Sequence, residues 1–117
     1  MVNLSLLIAH EIDSGFQKEW EFFHFPGGAG GFVLLHVPLV AIFLIGYRQL
    51  VRGERGGRWF SAALAAMGIS AFAIHMVFIA LGHPEFRSPA STGLLAAAFV
   101  GSSIQGWLVI GGREGRR

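Results

Sequence analysis

At 117 residues the chain has room for one domain and one core. Hydrophobic residues make up 53% and charged residues 14%, and the mean hydropathy of +0.57 lies above the usual soluble range. The absence of cysteine excludes disulfides, thiolate metal sites, iron–sulfur clusters and thiol nucleophiles. The basic residues are clustered: Arg48, Arg52, Arg55 and Arg58 lie with Glu54, and Arg113, Arg116 and Arg117 with Glu114. Loop anchors of a membrane protein sit in such clusters, so the pI near 9.9 does not point to nucleic acid.

The first predicted element is a helix over about 2–23. It begins apolar and then carries His10, Glu11, Asp13, Gln17, Lys18, Glu19 and Glu21, while Leu6, Leu7, Phe16, Trp20 and Phe23 supply apolar surface and no proline interrupts it. The start, Met1-Val2-Asn3-Leu4, lacks the basic region of a signal peptide, so this helix is expected to be retained. An amphipathic helix lying on the membrane surface is the alternative for this segment. Pro26 and the glycines that follow it turn the chain into a second helix over about 32–50, which contains His36 and Pro38. Pro38 removes a backbone donor and predicts a kink beside His36. After the arginine connection a third helix runs over about 60–81 with His75 inside it. Ser88 and Pro89, an N-cap and a first-turn proline, open a fourth over about 90–110.

A hydrocarbon core about 30 Å thick needs roughly 20 apolar helical residues, and the last three segments meet that requirement directly. The predicted fold is therefore an all-α integral membrane bundle of four transmembrane helices, with short loops making neighbours antiparallel. The arginine connection and the tail are strongly basic, whereas the first connection has no lysine or arginine and the third balances Glu85 with Arg87. The positive-inside rule then places both termini in the cytoplasm of a cell with this protein in its inner membrane. Trp59 and Trp107 fall near the inner interface and Trp20 near the outer one. Two ridges of small residues, Gly93/Ala97/Gly101 and Ala62/Ala66/Ser70, are expected to pack helix on helix.

A charge at the bilayer centre costs roughly 2.5–3.5 kcal/mol on insertion scales, so the ionisable residues of the first helix need partners. Counting from the outer helix ends, Glu19 lies roughly 6 Å deep and His36 and His75 roughly 8–10 Å deep. Those three, from three segments, share one layer. His10 and Glu11 lie roughly 18–20 Å deep, near the level expected for Gln105. Imidazole and carboxylate converging from separate helices suit a divalent metal such as zinc, iron or manganese, with His10, Glu11, Glu19, His36 and His75 as candidate ligands. The same groups suit acid–base chemistry on a lipid-soluble substrate, or a hydrogen-bonded network that sets helix register and takes in Asp13 and Gln105. Haem gripped between His36 and His75 is the least favoured option. His24, His83 and Glu21 sit at helix ends and are expected to be exposed. A zincin motif fails, because its second histidine would stand where Ser14 does.

The run Ala9-His10-Glu11-Ile12-Asp13, then Lys18-Glu19-Trp20-Glu21 with Phe23, then Leu35-His36-Val37-Pro38-Leu39, resembles a family of small bacterial membrane proteins, domain of unknown function 6713. The stretch from Glu85 to Ser91 looks like the family's later region, less specifically. The resemblance implies a four-helix membrane fold and draws attention to His10, Glu11, Asp13, Glu19, Trp20 and His36. It supplies no activity.

Two functions follow from the residues. One is a buried His/Glu polar or metal site between the first three helices, with enzymatic activity undecided. The other is a non-catalytic accessory subunit, packing as a homo-oligomer or against a larger membrane complex. Transport is a weaker third, since four short helices would have to oligomerise to enclose a pathway.

Overall fold

The computed structural model describes residues 1–83 and 87–112. Glu85 and the tail arginines Arg113, Arg116 and Arg117, used above for orientation, lie outside the described residues. The chain is all-α, with α1 (Val2–Phe16), α2 (Glu19–Phe22), α3 (Gly28–Val51), α4 (Arg55–Ala80) and α5 (Pro89–Gly111). Three of these, α3, α4 and α5, are long and apolar enough to cross a membrane. At 1.5 Å per residue the 15 residues of α1 span only about 22 Å.

The single helix expected over 2–23 is in fact two. It ends at Phe16 and resumes at Glu19, because Lys18 takes the left-handed conformation (φ 56°, ψ 39°). A side chain in that region costs roughly 1–2 kcal/mol relative to the right-handed helix. The N–H of Gln17 still bonds the Asp13 carbonyl at 2.8 Å, and that of Lys18 reaches back to Gly15 at 3.3 Å. What the turn achieves is directional: Glu19, the next residue, points its carboxylate at His75 of α4.

The second turn depends on glycine. Gly27 has φ 82°, and a Cβ at Gly31 would collide with the carbonyl of Pro26. The last helix opens as predicted, with Pro89 at its first position and the Ser88 hydroxyl accepting from the Ser91 N–H at 3.4 Å. α3 continues through Pro38 without interruption.

Helix α4 packs most extensively on α5, α3 flanks α4, and α1 lies chiefly against α5. Of the expected small-residue ridges, Gly101 closely approaches Asn3 and Leu6 of α1, but Gly93, Ala97, Ala66 and Ser70 lie off the helix seams. α5 buries Ser91, Leu95, Ala98 and Ser102, one face at helical spacing, while Gly93 and Ala97 look outward. α4 buries Ser61, Leu64, Ala65 and Gly68, while Ala66 and Ser70 are exposed. The expected ridges repeat every fourth residue, which fits close packing, but each helix turned a neighbouring face inward that carries hydrogen-bonding serines.

Helix α1 is inside-out by soluble standards. Its buried face is Asn3, Leu7, His10 and Ser14, whereas Val2, Ile12 and Phe16 are 74%, 69% and 82% exposed. Only Leu7 on the inward face is apolar, and it joins Phe43 and Leu64 in the small core.

Candidate functional site

The polar face of α1 makes two separate sets of contacts. At the end near the arginine connection, the Asn3 amide donates to Gln105 Oε1 at 2.7 Å and accepts from the Ser102 hydroxyl at 3.1 Å. The Gln105 amide in turn donates to the Ser61 hydroxyl at 2.7 Å and to its carbonyl at 3.1 Å. These partners satisfy one another and clamp α1, α4 and α5. Gln105 was expected at the level of His10 and Glu11; it lies instead at Asn3, about 10 Å further along α1. The shorter α1 explains the offset, since the helix ends at Phe16 and not at residue 23.

The second set is built from two like pairs. His36 on α3 sets Nδ1 2.7 Å from the carbonyl of Phe32, four residues earlier, and Nε2 2.9 Å from Glu11 Oε2. His75 on α4 sets Nδ1 2.9 Å from the carbonyl of Ala71, again four residues earlier, and Nε2 3.1 Å from Glu19 Oε1. Both glutamates come from the N-terminal segment, one on each side of the Lys18 turn. The pairs differ in burial: side-chain exposures are 27% and 20% for Glu11 and His36, but 11% and 6% for Glu19 and His75.

Hydrogen-bond inventory fixes the proton count. A carbonyl only accepts, so each Nδ1 carries the hydrogen it donates. The contact between Nε2 and the carboxyl oxygen then needs one more proton, either on the ring facing a carboxylate or on the acid facing a lone pair. Each pair therefore holds a single shared proton and is neutral as a unit. This offsets the cost of placing two carboxyl groups among apolar helices. Both ring nitrogens of His36 and of His75 are engaged.

His10 completes the cluster. Its ring packs edge-on against His75 with centroids 5.1 Å apart. The residue is 5% exposed, and its Nδ1 is buried with no hydrogen-bond partner.

All five residues singled out from the sequence, His10, Glu11, Glu19, His36 and His75, line one cavity of about 250 Å³. Ser14, an aromatic wall of Trp20, Phe23, Phe25 and Phe32, and the aliphatic Leu35, Ala71 and Ile74 complete it. Trp20 and Phe32 lie 5.4 Å apart, and Phe32 lies 4.3 Å from the ring of His36. Asp13 is half-buried and does not line the cavity. Among the described residues no group of three or more His, Cys, Asp or Glu side chains is disposed to hold a metal ion. A larger cavity, about 680 Å³, lies at the arginine end around Asn3, Tyr47 and Arg58 and touches neither pair.

Of the flanking residues, Glu21 and His24 are exposed as expected. His83 is not: it is half-buried, with its ring 4.8 Å from Phe22 and 5.8 Å from Phe78. Sequence reasoning missed Asn3 and Ser102. Asn3 in an otherwise apolar first turn was the available signal.

Comparison with known proteins adds a family. The model of a family of unknown function (DUF6713) matches residues 1–112. No curated protein and no solved structure matches the chain.

Proposed function

The chain belongs to this family of unknown function, and from that premise and the site's geometry we propose that it is a small integral membrane protein whose working part is a proton-holding, acid–base cavity inside the bundle. The observation that carries the reading is the convergence of two proton-sharing His–Glu pairs and His10 on one aromatic-walled cavity.

Three helices of spanning length and composition support residence in a bilayer. We read α1 as a fourth, shorter element inserted among them, completed by α2. Support comes from its outward Val2, Ile12 and Phe16 and its inward Asn3, His10 and Ser14. A helix lying on the membrane surface would turn those polar residues toward water instead. The positive-inside rule, applied to Arg48, Arg52, Arg55 and Arg58, favours an inner-membrane protein with cytoplasmic termini and a cytoplasmic arginine connection.

The test is infrared difference spectroscopy of bilayer-reconstituted protein during a pH titration. Carboxyl and imidazole bands that change together are expected, one set lost in Glu11→Gln and the other in Glu19→Gln. Spectra unaltered by either substitution would refute an acid–base role. Metal analysis of the same preparation addresses the competing chemistry. A stoichiometric zinc, iron or manganese lost in His10→Ala and His36→Ala would show that a divalent cation replaces the shared protons.

A second reading, an accessory subunit or homo-oligomer, is favoured by the outward Gly93/Ala97 and Ala66/Ser70 ridges, which allow another helix to approach closely. A stoichiometric partner, or a second copy, retained through purification and lost in Ala66→Leu supports it. A monodisperse single chain counts against it.

A further inference from the structure

We propose that the cavity binds an uncharged, lipid-soluble hydroxylated aromatic ring, whose hydroxyl donates to Nδ1 of His10 while Trp20 and the phenylalanines hold the ring. This rests on the acid–base reading of the same site and names its ligand class.

Each property of the ligand answers a feature of the cavity. It is uncharged because both His–Glu pairs are neutral units, so an ion would enter an apolar wall without a counter-charge. It is lipid-soluble because α3 and α4, which carry His36 and His75, are helices that can cross a membrane. It carries an aromatic ring because Trp20, Phe23, Phe25 and Phe32 line the space, and such rings favour offset or edge-to-face neighbours. Size agrees as well: an apolar cavity of about 150 Å³ accepts benzene, so one of about 250 Å³ accepts a substituted six-membered ring.

The hydroxyl follows from what the cavity lacks. His10 is 5% exposed and its Nδ1 has no partner, a state that buried polar atoms seldom keep. Each carboxyl group gives one oxygen to its histidine, Oε2 of Glu11 and Oε1 of Glu19; Glu19 also takes a hydrogen bond from Ser14, and Glu11 keeps Oε1. Carboxylate oxygens accept, and Nδ1 accepts in the tautomer that carries its proton on Nε2. A hydroxyl donor suits the carboxyl oxygens and, in that tautomer, Nδ1 as well.

The full chain in lipid nanodiscs, carrying Trp59→Phe and Trp107→Phe, leaves Trp20 as the sole tryptophan and as a reporter in the cavity wall. Its emission is followed while para-hexylphenol or its methyl ether, para-hexylanisole, is added. The two differ only in the hydroxyl proton. The phenol is expected to saturate the signal with an affinity roughly tenfold higher than the ether, the worth of one buried hydrogen bond. His10→Phe is expected to bring the phenol down to the ether's affinity and to leave the ether where it was. Equal affinities in the unsubstituted site, or a signal that only rises linearly with both compounds, would overturn the proposal. Infrared spectra of the same sample separate the two levels. Intact His–Glu bands without phenol preference remove the ligand assignment alone, and absent bands remove the acid–base reading beneath it.

Discussion

Replacing Glu19 by leucine or by glutamine separates a hydrogen-bonded pair from a merely polar pocket. His75 has committed Nδ1 to the Ala71 carbonyl at 2.9 Å, so its only other polar atom, Nε2, depends on Glu19 at 3.1 Å. With the two side chains only 11% and 6% exposed, water does not readily take the carboxylate's place. Leucine fills similar volume but removes the carboxylate that Nε2 bonds, and losing that buried hydrogen bond is expected to cost about 1–3 kcal/mol. Glutamine can donate its amide hydrogen to the Nε2 lone pair and should cost less than about 1 kcal/mol. The same exchange at Glu11 should be milder, below about 1 kcal/mol, because exposures of 27% and 20% let solvent substitute. Unfolding in mixed micelles, followed by helical circular dichroism, gives the four free energies. A Glu19→Gln loss as large as that of Glu19→Leu, or a Glu11→Leu loss as large as that of Glu19→Leu, would refute the reasoning.

Other substitutions test the frame that holds the site. Asn3→Leu removes both the Gln105 and Ser102 hydrogen bonds and strands buried polar groups, so a loss of about 2 kcal/mol is expected in the same unfolding assay. Lys18→Gly should stabilise by about 0.5–1 kcal/mol, since glycine takes φ 56° without a Cβ clash; destabilisation would mean the lysine side chain contributes more than the turn costs. Gly57→Ala would bring a Cβ within 2.6 Å of Leu50 Cα and 2.8 Å of the Gln49 carbonyl, all backbone, forcing α3 and α4 apart at the arginine connection. Lost expression of the folded chain, or a large fall in its unfolding midpoint, is the expected readout.

The long helices were legible because their signal is compositional. Runs of about twenty apolar residues bounded by Pro, Gly and Arg placed α3, α4 and α5, and the Ser88–Pro89 start was readable to the residue. The break in the first helix was not. Neither Gln17 nor Lys18 signals a left-handed turn, and the contacts that accompany it are distant in sequence: Glu19 with His75, Phe22 with Phe78 and Trp20 with Phe32. The candidate site divides the same way. Cost at membrane depth picked out His10, Glu11, Glu19, His36 and His75, and all five line one cavity. One pairing was partly legible, since depth puts Glu19 and His75 in one layer; the other was hidden, because a straight helix puts Glu11 about 10 Å deeper than His36. Once the turn folds α2 back, His10 lies against the ring that Glu19 holds. The small-residue ridges held only at Gly101 for a related reason: several faces of α4 and α5 carry alanine, glycine and serine, and spacing alone does not choose among them.

The shared protons are tested most directly by nitrogen NMR of isotope-labelled histidine in the reconstituted chain. His36 and His75 are expected to show a protonated Nδ1 and, at Nε2, a proton shared with oxygen, each Nε2 signal moving when its own glutamate is changed to glutamine. Nδ1 atoms without hydrogen, or Nε2 signals indifferent to Glu11→Gln and Glu19→Gln, would contradict the neutral His–Glu pairs.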